Sequence, residues 1–436
     1  MNKNSTYYYC SQLSLWMILV LVLFVGCTKD NSDEDALLIP SSIKILQDDF
    51  SDRTLDLVPG DGVMLAVYTT IEEKVICALL TNEGEVIWRR DIGVTTMLYP
   101  LFSSSDMRIE EIIYEGNGVF SIMGRSNGDG RIIKINTEGE IVSDQSNFFT
   151  LTNGYHRFGV FKDKAQNYIS YGFTGTGRSF LSKHTPSGDL IFRNIFSETS
   201  GSSFNDNQAV TGCVQLESGE FVLAGTYTPS NLAEFASVYF IRKFTSDGEE
   251  VWYRRYELDP IPSATTLGSG NNIFGRDLIL NPDGTFSFLM NDADRSTDRS
   301  KARLIKFSSE GNFLSEQFID LATTNLIGGN SLSPENPNYQ GTIGQSLVQK
   351  TDGSYVGIVN RYDESGTQFG SNLRTPHFPY IFELDQGGNL VNMQFSDRVY
   401  STFYSTCVSL SNGKTAIFGR IISIGETSKP LIIIQE

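Results

Sequence analysis

The stretch VQLESGEFVLAGTY (214–227) and the stretch VYFIRKFTSDGEEVWYRRY (238–256) each contain two apolar segments on either side of a short polar turn. The turns contain Gly219 and Gly248. Apolar and polar residues alternate within the segments, which is typical of β-strands, and glycine suits a tight turn because it adopts positive φ at low steric cost. Together the two stretches predict a meander of four antiparallel strands.

The second half of this meander recurs along the chain. Six segments share an apolar strand, a turn ending in glycine and a second apolar strand: CALLTNEGEVIW (77–88), IIKINTEGEIVS (132–143), LSKHTPSGDLIF (181–192), IRKFTSDGEEVW (241–252), LIKFSSEGNFLS (304–315) and IFELDQGGNLVN (381–392). Seven earlier turns lie at 59–62, 116–118, 163–167, 218–219, 282–284, 351–353 and 411–413. A repeated four-stranded unit predicts an all-β fold, a seven-bladed β-propeller of antiparallel blades.

The two ends of the chain predict how the ring closes. The sequence ends at LIIIQE (431–436), in the third strand of the last blade, so that blade lacks its outer strand. The segment SIKILQDDFSD (42–52) is similar to GNLVNMQFSD (388–397), the outer strand of the sixth blade. We therefore expect an N-terminal strand to close the last blade, and the propeller to span residues 42–436.

The N-terminus predicts export and a lipid anchor. Leu13 to Val25 is an apolar run broken only by Ser14, which suits a signal peptide better than a membrane span. The tetrapeptide 24–27 resembles the lipobox of bacterial lipoproteins, which implies removal of residues 1–26 and acylation of Cys27. An ordinary secretory signal and an uncleaved anchor are the alternatives. Residues 27–41 are polar and acidic, and we expect them to form a flexible tether.

Two resemblances concern location. The acidic stretch behind Cys27 resembles the export signal of Bacteroidota lipoproteins that reach the outer face of the outer membrane, although a simple spacer would look the same. The repeat at 214–256 resembles propeller repeats common in secreted and lipid-anchored proteins of Bacteroidota and some archaea. These resemblances imply a seven-bladed β-propeller lipoprotein on the outer membrane, facing the cell exterior.

The net charge argues against some classes of binding partner, and the spacing of the cysteines argues against disulfides. The formal net charge of −17 opposes binding to nucleic acid and to anionic lipid, because both surfaces repel it. Cys77, Cys213 and Cys407 are widely spaced and each lies in a predicted strand. We expect them to be buried free thiols and not a disulfide framework.

The connections between strands predict one working face. All tight glycine turns fall on one side of a propeller with this repeat, and all long segments fall on the other, where binding residues are common. Aromatic rings and one histidine in these segments could stack on sugar faces or form a protein-binding hot spot, unless they pack beneath their own loops. These residues are Tyr99, Phe102, Phe235, Tyr339, Tyr362, Phe369, His377 and Phe378.

Motifs for catalysis or metal binding are weak. His184 aligns with apolar core positions of other blades, and no two of the three histidines have metal-ligand spacing. Residues 291–294 resemble a calcium loop in composition but lack its glycine and distal glutamate, so we expect a solvated loop there. Gly172, Gly175 and Gly177 have no following helix to hold a phosphate. We expect no cofactor, no metal site and no catalytic residues.

The sequence therefore predicts a non-catalytic envelope lipoprotein that binds or scaffolds an outer-membrane protein or a glycan. The alternative is a propeller glycosidase or polysaccharide lyase that uses carboxylates or His377 near the channel. A quinone-cofactor protein is a third possibility. Two or three ionisable residues converging at the channel mouth would favour an enzyme, and an apolar, aromatic patch there would favour a partner protein.

Overall fold

The computed structural model describes residues 43–46, 50–95, 108–126, 129–146, 148, 155–174, 178–196, 207–228, 238–257, 275–294, 299–319, 339–363, 377–395, 401–422 and 428–435. These ranges form 28 β-strands joined by turns, and Ser42–Glu436 is one compact unit. In this part of the chain no helix is long and apolar enough to cross a membrane. The predicted signal peptide, Cys27 and the tether lie outside the described residues.

The strands form seven four-stranded blades. Blade 1 contains β2 (Phe50–Pro59), β3 (Val63–Thr70), β4 (Lys74–Thr81) and β5 (Val86–Thr95). Blade 2 contains β6 (Arg108–Gly116), β7 (Val119–Ser126), β8 (Asp129–Asn136) and β9 (Ile141–Ser146). Blade 3 contains β10 (Tyr155–Lys162), β11 (Tyr168–Thr174), β12 (Ser179–His184) and β13 (Leu190–Phe196). Blade 4 contains β14 (Asn207–Gln215), β15 (Phe221–Thr228), β16 (Val238–Phe244) and β17 (Glu250–Glu257).

The remaining blades follow the same order. Blade 5 contains β18 (Gly275–Leu280), β19 (Phe286–Asp294), β20 (Arg299–Phe307) and β21 (Phe313–Ile319). Blade 6 contains β22 (Tyr339–Gln349), β23 (Tyr355–Asp363), β24 (His377–Leu384) and β25 (Leu390–Phe395). Blade 7 contains β26 (Ser401–Ser409), β27 (Thr415–Ile422), β28 (Lys429–Gln435) and, as its outer strand, β1 (Ile43–Ile45). Among the residues that the structure describes, one parallel pair, Ser300 with Gly341, joins blades 5 and 6 into one sheet.

The first strands of consecutive blades contact one another, and β26 contacts β2, which closes the ring. In blade 7, β1 pairs antiparallel with β28, with Ile45 opposite Leu431. The backbone N–H of Leu46 then donates to the carbonyl of Pro430 at 2.9 Å. The predictions of seven four-stranded antiparallel blades and of an N-terminal strand in the last blade are confirmed.

The tight turns have the predicted glycine chemistry. In blade 1, the N–H of Gly84 donates to the carbonyl of Thr81 at 2.9 Å, and the N–H of Thr81 donates to the carbonyl of Glu85 at 2.9 Å. Gly84 has a φ of 82°, a conformation that favours glycine. The other turns between third and fourth strands repeat both hydrogen bonds.

These turns also join neighbouring blades. The ring of Trp88 on blade 1 packs over Gly139 of blade 2, and its indole N–H donates to the carbonyl of Thr137 at 2.6 Å. Trp252 on blade 4 lies in the same way against Gly311 of blade 5. Because a glycine has no Cβ, the aromatic ring of one blade can approach the turn of the next.

Gly188 in blade 3 tests this close approach. It has a φ of 94°, and a Cβ there would lie 2.5 Å from the carbonyl oxygen of Phe148. We expect Gly188→Ala to destabilise the protein by roughly 3 kcal/mol, the sum of a strained φ and a backbone clash. Gly413 is the matched control, since it has a φ of 83° with nothing within 4 Å of an added Cβ. Gly413→Ala should cost about 1 kcal/mol in denaturant unfolding, and equal costs would contradict the packing described.

The core confirms the prediction of a buried His184, and the prediction of buried free thiols for Cys77 and Cys407 but not for Cys213. His184 is buried, its ring nitrogen Nδ1 lies 3.3 Å from the carbonyl of Gly188, and burial lowers its pKa to about 4. The ring is therefore neutral at physiological pH. Cys77 and Cys407 are buried, Cys213 is partly exposed, and all three are free thiols. Burial raises the pKa of each thiol, which makes it a weak nucleophile.

One loop prediction was wrong. Residues 291–294, expected in a solvated loop, belong to β19, which runs to Asp294 and pairs with β20 from Arg299 onward. Backbone pairing with β20 includes Asp292 and Ala293, so the strand is longer than its apolar residues indicated. The acidic residues here therefore do not form a free loop of the kind that wraps a calcium ion.

Candidate functional site

The two faces of the propeller differ in the length of their connections. On one face, every hairpin turn joins strands through five residues or fewer, as in the turns at 82–85 and 216–220. We call this the turn face. On the opposite face lie the ends of the strands that border the longest stretches between strands, namely 96–107, 258–274 and 320–338 between blades and 229–237 and 364–376 within blades. We call that the long-connection face.

The predicted aromatic site falls partly outside the described residues. Tyr99, Phe102, Phe235 and Phe369 lie outside them. The other four residues were expected in loops and instead lie in strands of blade 6: Tyr339 begins β22, Tyr362 is near the end of β23, and His377 and Phe378 begin β24.

The strands of blade 6 are longer than their apolar residues indicated. Their backbone pairing continues toward the long-connection face. Tyr362 pairs with His377, and Tyr339 pairs with Asp363. The backbone thus brings Tyr362 and His377 directly opposite each other, on the face and in the sector where binding was expected.

The described side chains reveal a second candidate site, in the central channel. Each first strand contributes one residue at the same register against its second strand, for example Asp56 opposite Val67 and Asp277 opposite Leu289. We call these seven residues the channel ring. In blade order they are Asp56, Glu111, Gly159, Gly212, Asp277, Ser346 and Thr406.

A β-bulge positions the channel ring in five blades. The register shifts just before Glu111, Gly212, Asp277, Ser346 and Thr406. A bulge bends its strand and redirects the side chain that follows it, and bulges are frequent beside functional sites. The ring residues of β18 and β22 lie three residues before the end of their strands, so the ring lies roughly 10 Å inside the turn face.

The three carboxyl groups of the ring accept backbone hydrogen bonds. Asp56 Oδ1 accepts from the N–H of Leu57 at 2.8 Å, and Asp277 Oδ2 accepts from the N–H of Leu347 in the next blade at 2.7 Å. Glu111 accepts from the N–H of Ile112 and from that of Val160, which is also in the next blade. Two of the carboxyls thereby connect neighbouring first strands across a blade boundary.

Asp56 and Glu111 are partly exposed, but the first strands packed around them desolvate their carboxyl groups and so set their protonation. This desolvation raises the pKa of Asp56 to about 7, against the lowering effect of the Leu57 hydrogen bond and with a further rise from the charge of Asp277. It also raises the pKa of Glu111 well above its usual range, and the charges of Asp56 and Asp277 add to the shift. Near neutral pH the ring can therefore hold at least one proton that an ordinary carboxyl would release.

Tyr171 lies against Gly159, the small ring residue of blade 3. Its ring and hydroxyl occupy the space where a Cβ of Gly159 would stand. Burial raises the pKa of Tyr171, and the charges of Glu111 and Asp277 add to the rise. The phenol is therefore neutral and lies within the electrostatic influence of the carboxyls.

Sequence reasoning missed the channel ring because its three acids lie on three separate strands, more than 50 residues apart in the sequence. The available signal was positional: Asp56 and Asp277 each stand three residues before the end of a first strand. Among the described residues no group of three or more His, Cys, Asp or Glu side chains could hold a metal ion. The cluster can store and transfer protons, which is the chemistry of general acids and bases.

Comparisons with known proteins support no closer assignment. No family model matches the chain, and no curated protein matches it. Among solved structures, a protein from Lactobacillus plantarum is 9% identical, with a TM-score of 0.47, covering 88% of this chain and 100% of that one.

Two further solved structures come from proteins that are named as enzymes. The β-propeller domain of the Trilobed protease from Pyrococcus furiosus is 8% identical, with a TM-score of 0.44, covering 88% of this chain and 94% of that one. An endo-arabinase from Bacteroides thetaiotaomicron is 10% identical, with a TM-score of 0.32, covering 72% and 89%. The fold assignment for this chain therefore rests on its own sheet pairing, and its function has to be argued from its own residues.

Proposed function

We propose that this protein is a non-catalytic envelope lipoprotein, anchored through Cys27 to the outer membrane, that binds an outer-membrane protein or a glycan with its long-connection face. The observation that carries the proposal is where the chain enters the propeller. Lys44 of β1 forms a 2.5 Å salt bridge with Glu85, next to the turn of blade 1 that contains Gly84. The strand therefore starts on the turn face, opposite the long connections.

This entry point suits a membrane-tethered binding module. Residues 27–41 would reach at most about 50 Å when fully extended, so an acylated Cys27 would keep the turn face nearer the lipid. The long-connection face would then point away from the membrane, where a partner or glycan is accessible. The net charge of −17 limits direct contact of the propeller with anionic lipid.

The proposal is tested by purifying the native protein from detergent-solubilised envelopes, with glycan binding measured in parallel on an array. We expect one stoichiometric outer-membrane protein or one glycan class to bind. A Tyr362→Ala, Phe378→Ala variant should lose that ligand at least tenfold. Phe313→Ala is the control, because Phe313 is an exposed ring at the start of β21, beside the turn face. Equal binding by both variants would contradict the proposed face.

The anchor has its own test. Cys27→Ala should shift the protein from the membrane fraction to the soluble fraction and abolish incorporation of labelled fatty acid. A membrane-bound, unlabelled Cys27→Ala protein would show that another segment holds the protein.

A hydrolase or lyase of polysaccharides is the second candidate, because three ionisable residues converge in the channel ring. A protonated Glu111 could donate to a leaving oxygen while a second carboxylate activates water. The ring lies inside the turn face and not at the mouth of the long-connection face, which is why we favour binding. Cleavage of a polysaccharide panel by the wild type, abolished by Glu111→Gln, would establish the enzyme.

A further inference from the structure

The outer strand of blade 1 has an open edge. β5 is the last strand in the sheet order β2-β3-β4-β5, and among the described strands it pairs only with β4. Such an edge can accept another strand through its backbone N–H and C=O groups. Blade 2 holds β5 in place, because the indole of Trp88 and the guanidinium of Arg90 both donate to carbonyls in the turn at 137–139. The edge is therefore preorganised for a partner strand.

Large apolar side chains on this edge are exposed. Val86 is 48% exposed and Ile87 is 50% exposed. They lie directly after the turn of blade 1, on the outside of the ring. Exposed apolar residues also begin the outer strands of blades 2–6, so exposure alone does not distinguish β5 from them.

The charges along β5 do distinguish it. Glu85, just before the strand, has a side chain that is 65% exposed, and Arg90 is also exposed. Lys44 contacts one oxygen of Glu85, and Arg90 donates to the carbonyl of Gly139. Because a carboxylate and a guanidinium each bind several partners, both groups can take part in a second ion pair.

This order of acid, apolar residues and cation is complementary to itself. In an antiparallel pair of two β5 strands centred between Ile87 and Trp88, Glu85 of each copy lies opposite Arg90 of the other. A parallel pair in register would place Glu85 opposite Glu85 and Arg90 opposite Arg90. Opposite charges on facing strands stabilise the pair, and like charges destabilise it. The edge therefore selects an antiparallel second copy.

The other outer strands offer less to a second copy. β9, β21 and β25 contain no lysine or arginine. β13 and β17 contain arginines, but Arg193 and Arg254 are half-buried, and Glu250 is bound to Arg242 of its own blade at 2.5 Å.

We propose that β5 is a self-association edge, at which two copies of this protein pair antiparallel as a two-fold symmetric dimer. One short edge buries less than the roughly 1,600 Å² of a standard interface, so the dimer is weak and reversible. Because β5 begins at the turn face, the turn faces of the two copies point in opposite directions. Two copies anchored as proposed above would then have their anchors on opposite sides of the dimer, as on two facing membranes.

Opposite charge reversals test the pairing. The form that starts at residue 28 contains all 28 described strands, and its association would be measured by analytical ultracentrifugation at increasing concentration. Glu85→Arg alone places arginines opposite each other in the dimer, and Arg90→Glu alone places glutamates opposite each other. We expect each variant to dimerise at least about tenfold more weakly than the wild type.

An equimolar mixture of the two variants should associate as strongly as the wild type, because each arginine then faces a glutamate across the heterodimer. Restoration in the mixture requires both variants to be folded, which separates the loss of pairing from unfolding. Glu249→Arg and Arg255→Glu make the same reversals at exposed positions around β17 and should leave association at the wild-type level.

A wild type that is monomeric at every concentration would overturn the proposal. A mixture that stays monomeric although circular dichroism shows both variants folded would also overturn it, as would loss of association in the β17 variants alone. The anchor and the ligand of the long-connection face play no part in this measurement, so a negative result would leave the proposed function standing.

Discussion

Replacement of Asp56 by asparagine should stabilise the protein at pH 8 by about 1–3 kcal/mol and have little effect at pH 5. Burial raises the pKa of Asp56 in the folded protein to about 7, whereas an unfolded chain gives a value near 3.9. The folded state therefore binds more protons between these values, and its stability falls as the pH rises through that window. An asparagine side chain keeps an oxygen that can accept the Leu57 N–H but carries no charge.

The measurement is denaturant unfolding of wild type and Asp56→Asn at pH 5, 6, 7 and 8. The wild type should lose stability toward pH 8, and the variant should lose less of it. Glu83→Gln removes the same charge at an exposed position and should keep the wild-type pH dependence. If Asp56→Asn destabilises the protein equally at every pH, the carboxylate has a favourable structural role and its pKa is not raised.

Removal of β1 should produce the second large effect. A protein that starts at residue 47 lacks the pairing of Ile43–Ile45 with β28 and the buried side chain of Leu46. Loss of one buried leucine typically costs 2–5 kcal/mol, and β28 would gain an unpaired edge. We expect an unfolding temperature roughly 5–10 °C lower than that of a protein starting at residue 28.

A protein that starts at Ser42 is the control for this truncation. It lacks the tether but keeps β1, so its unfolding temperature should match that of the form starting at residue 28. Equal stability of the forms starting at 42 and at 47 would show that β1 does not contribute to closing the ring.

The blades could be predicted because their signal is local and repeated. Each hairpin has its own alternation and its own glycine, so the position of Gly84 or Gly248 is specified by a few neighbouring residues. Closure was predictable for the same reason, since residues 42–52 are similar to another outer strand. The ends of strands were less predictable. In β19 and β23 the backbone pairing continues through polar residues, which the alternation of apolar residues does not indicate.

The channel ring could not be predicted in the same way, because it exists only after the blades are in a circle. Asp56 and Asp277 are more than 200 residues apart in the sequence, and nothing near either residue indicates the other. Their pKa values depend on burial and on charges from other blades, which a linear pattern does not contain. The partner-binding residues of the long-connection face, Tyr99 and Phe369 among them, remain predictions.

Disulfide trapping of β1 against β28 tests the closed seven-bladed ring most directly. Ile45 and Leu431 are opposite each other in the antiparallel pair, so Ile45→Cys with Leu431→Cys should form a disulfide under mild oxidation. It would be detected by peptide mass spectrometry and should raise the unfolding temperature in non-reducing conditions. Ile45→Cys paired with Val391→Cys, on the outer strand of blade 6, should form none. The opposite result, a bond to position 391 and none to position 431, would contradict the ring closure on which the two faces and the channel ring depend.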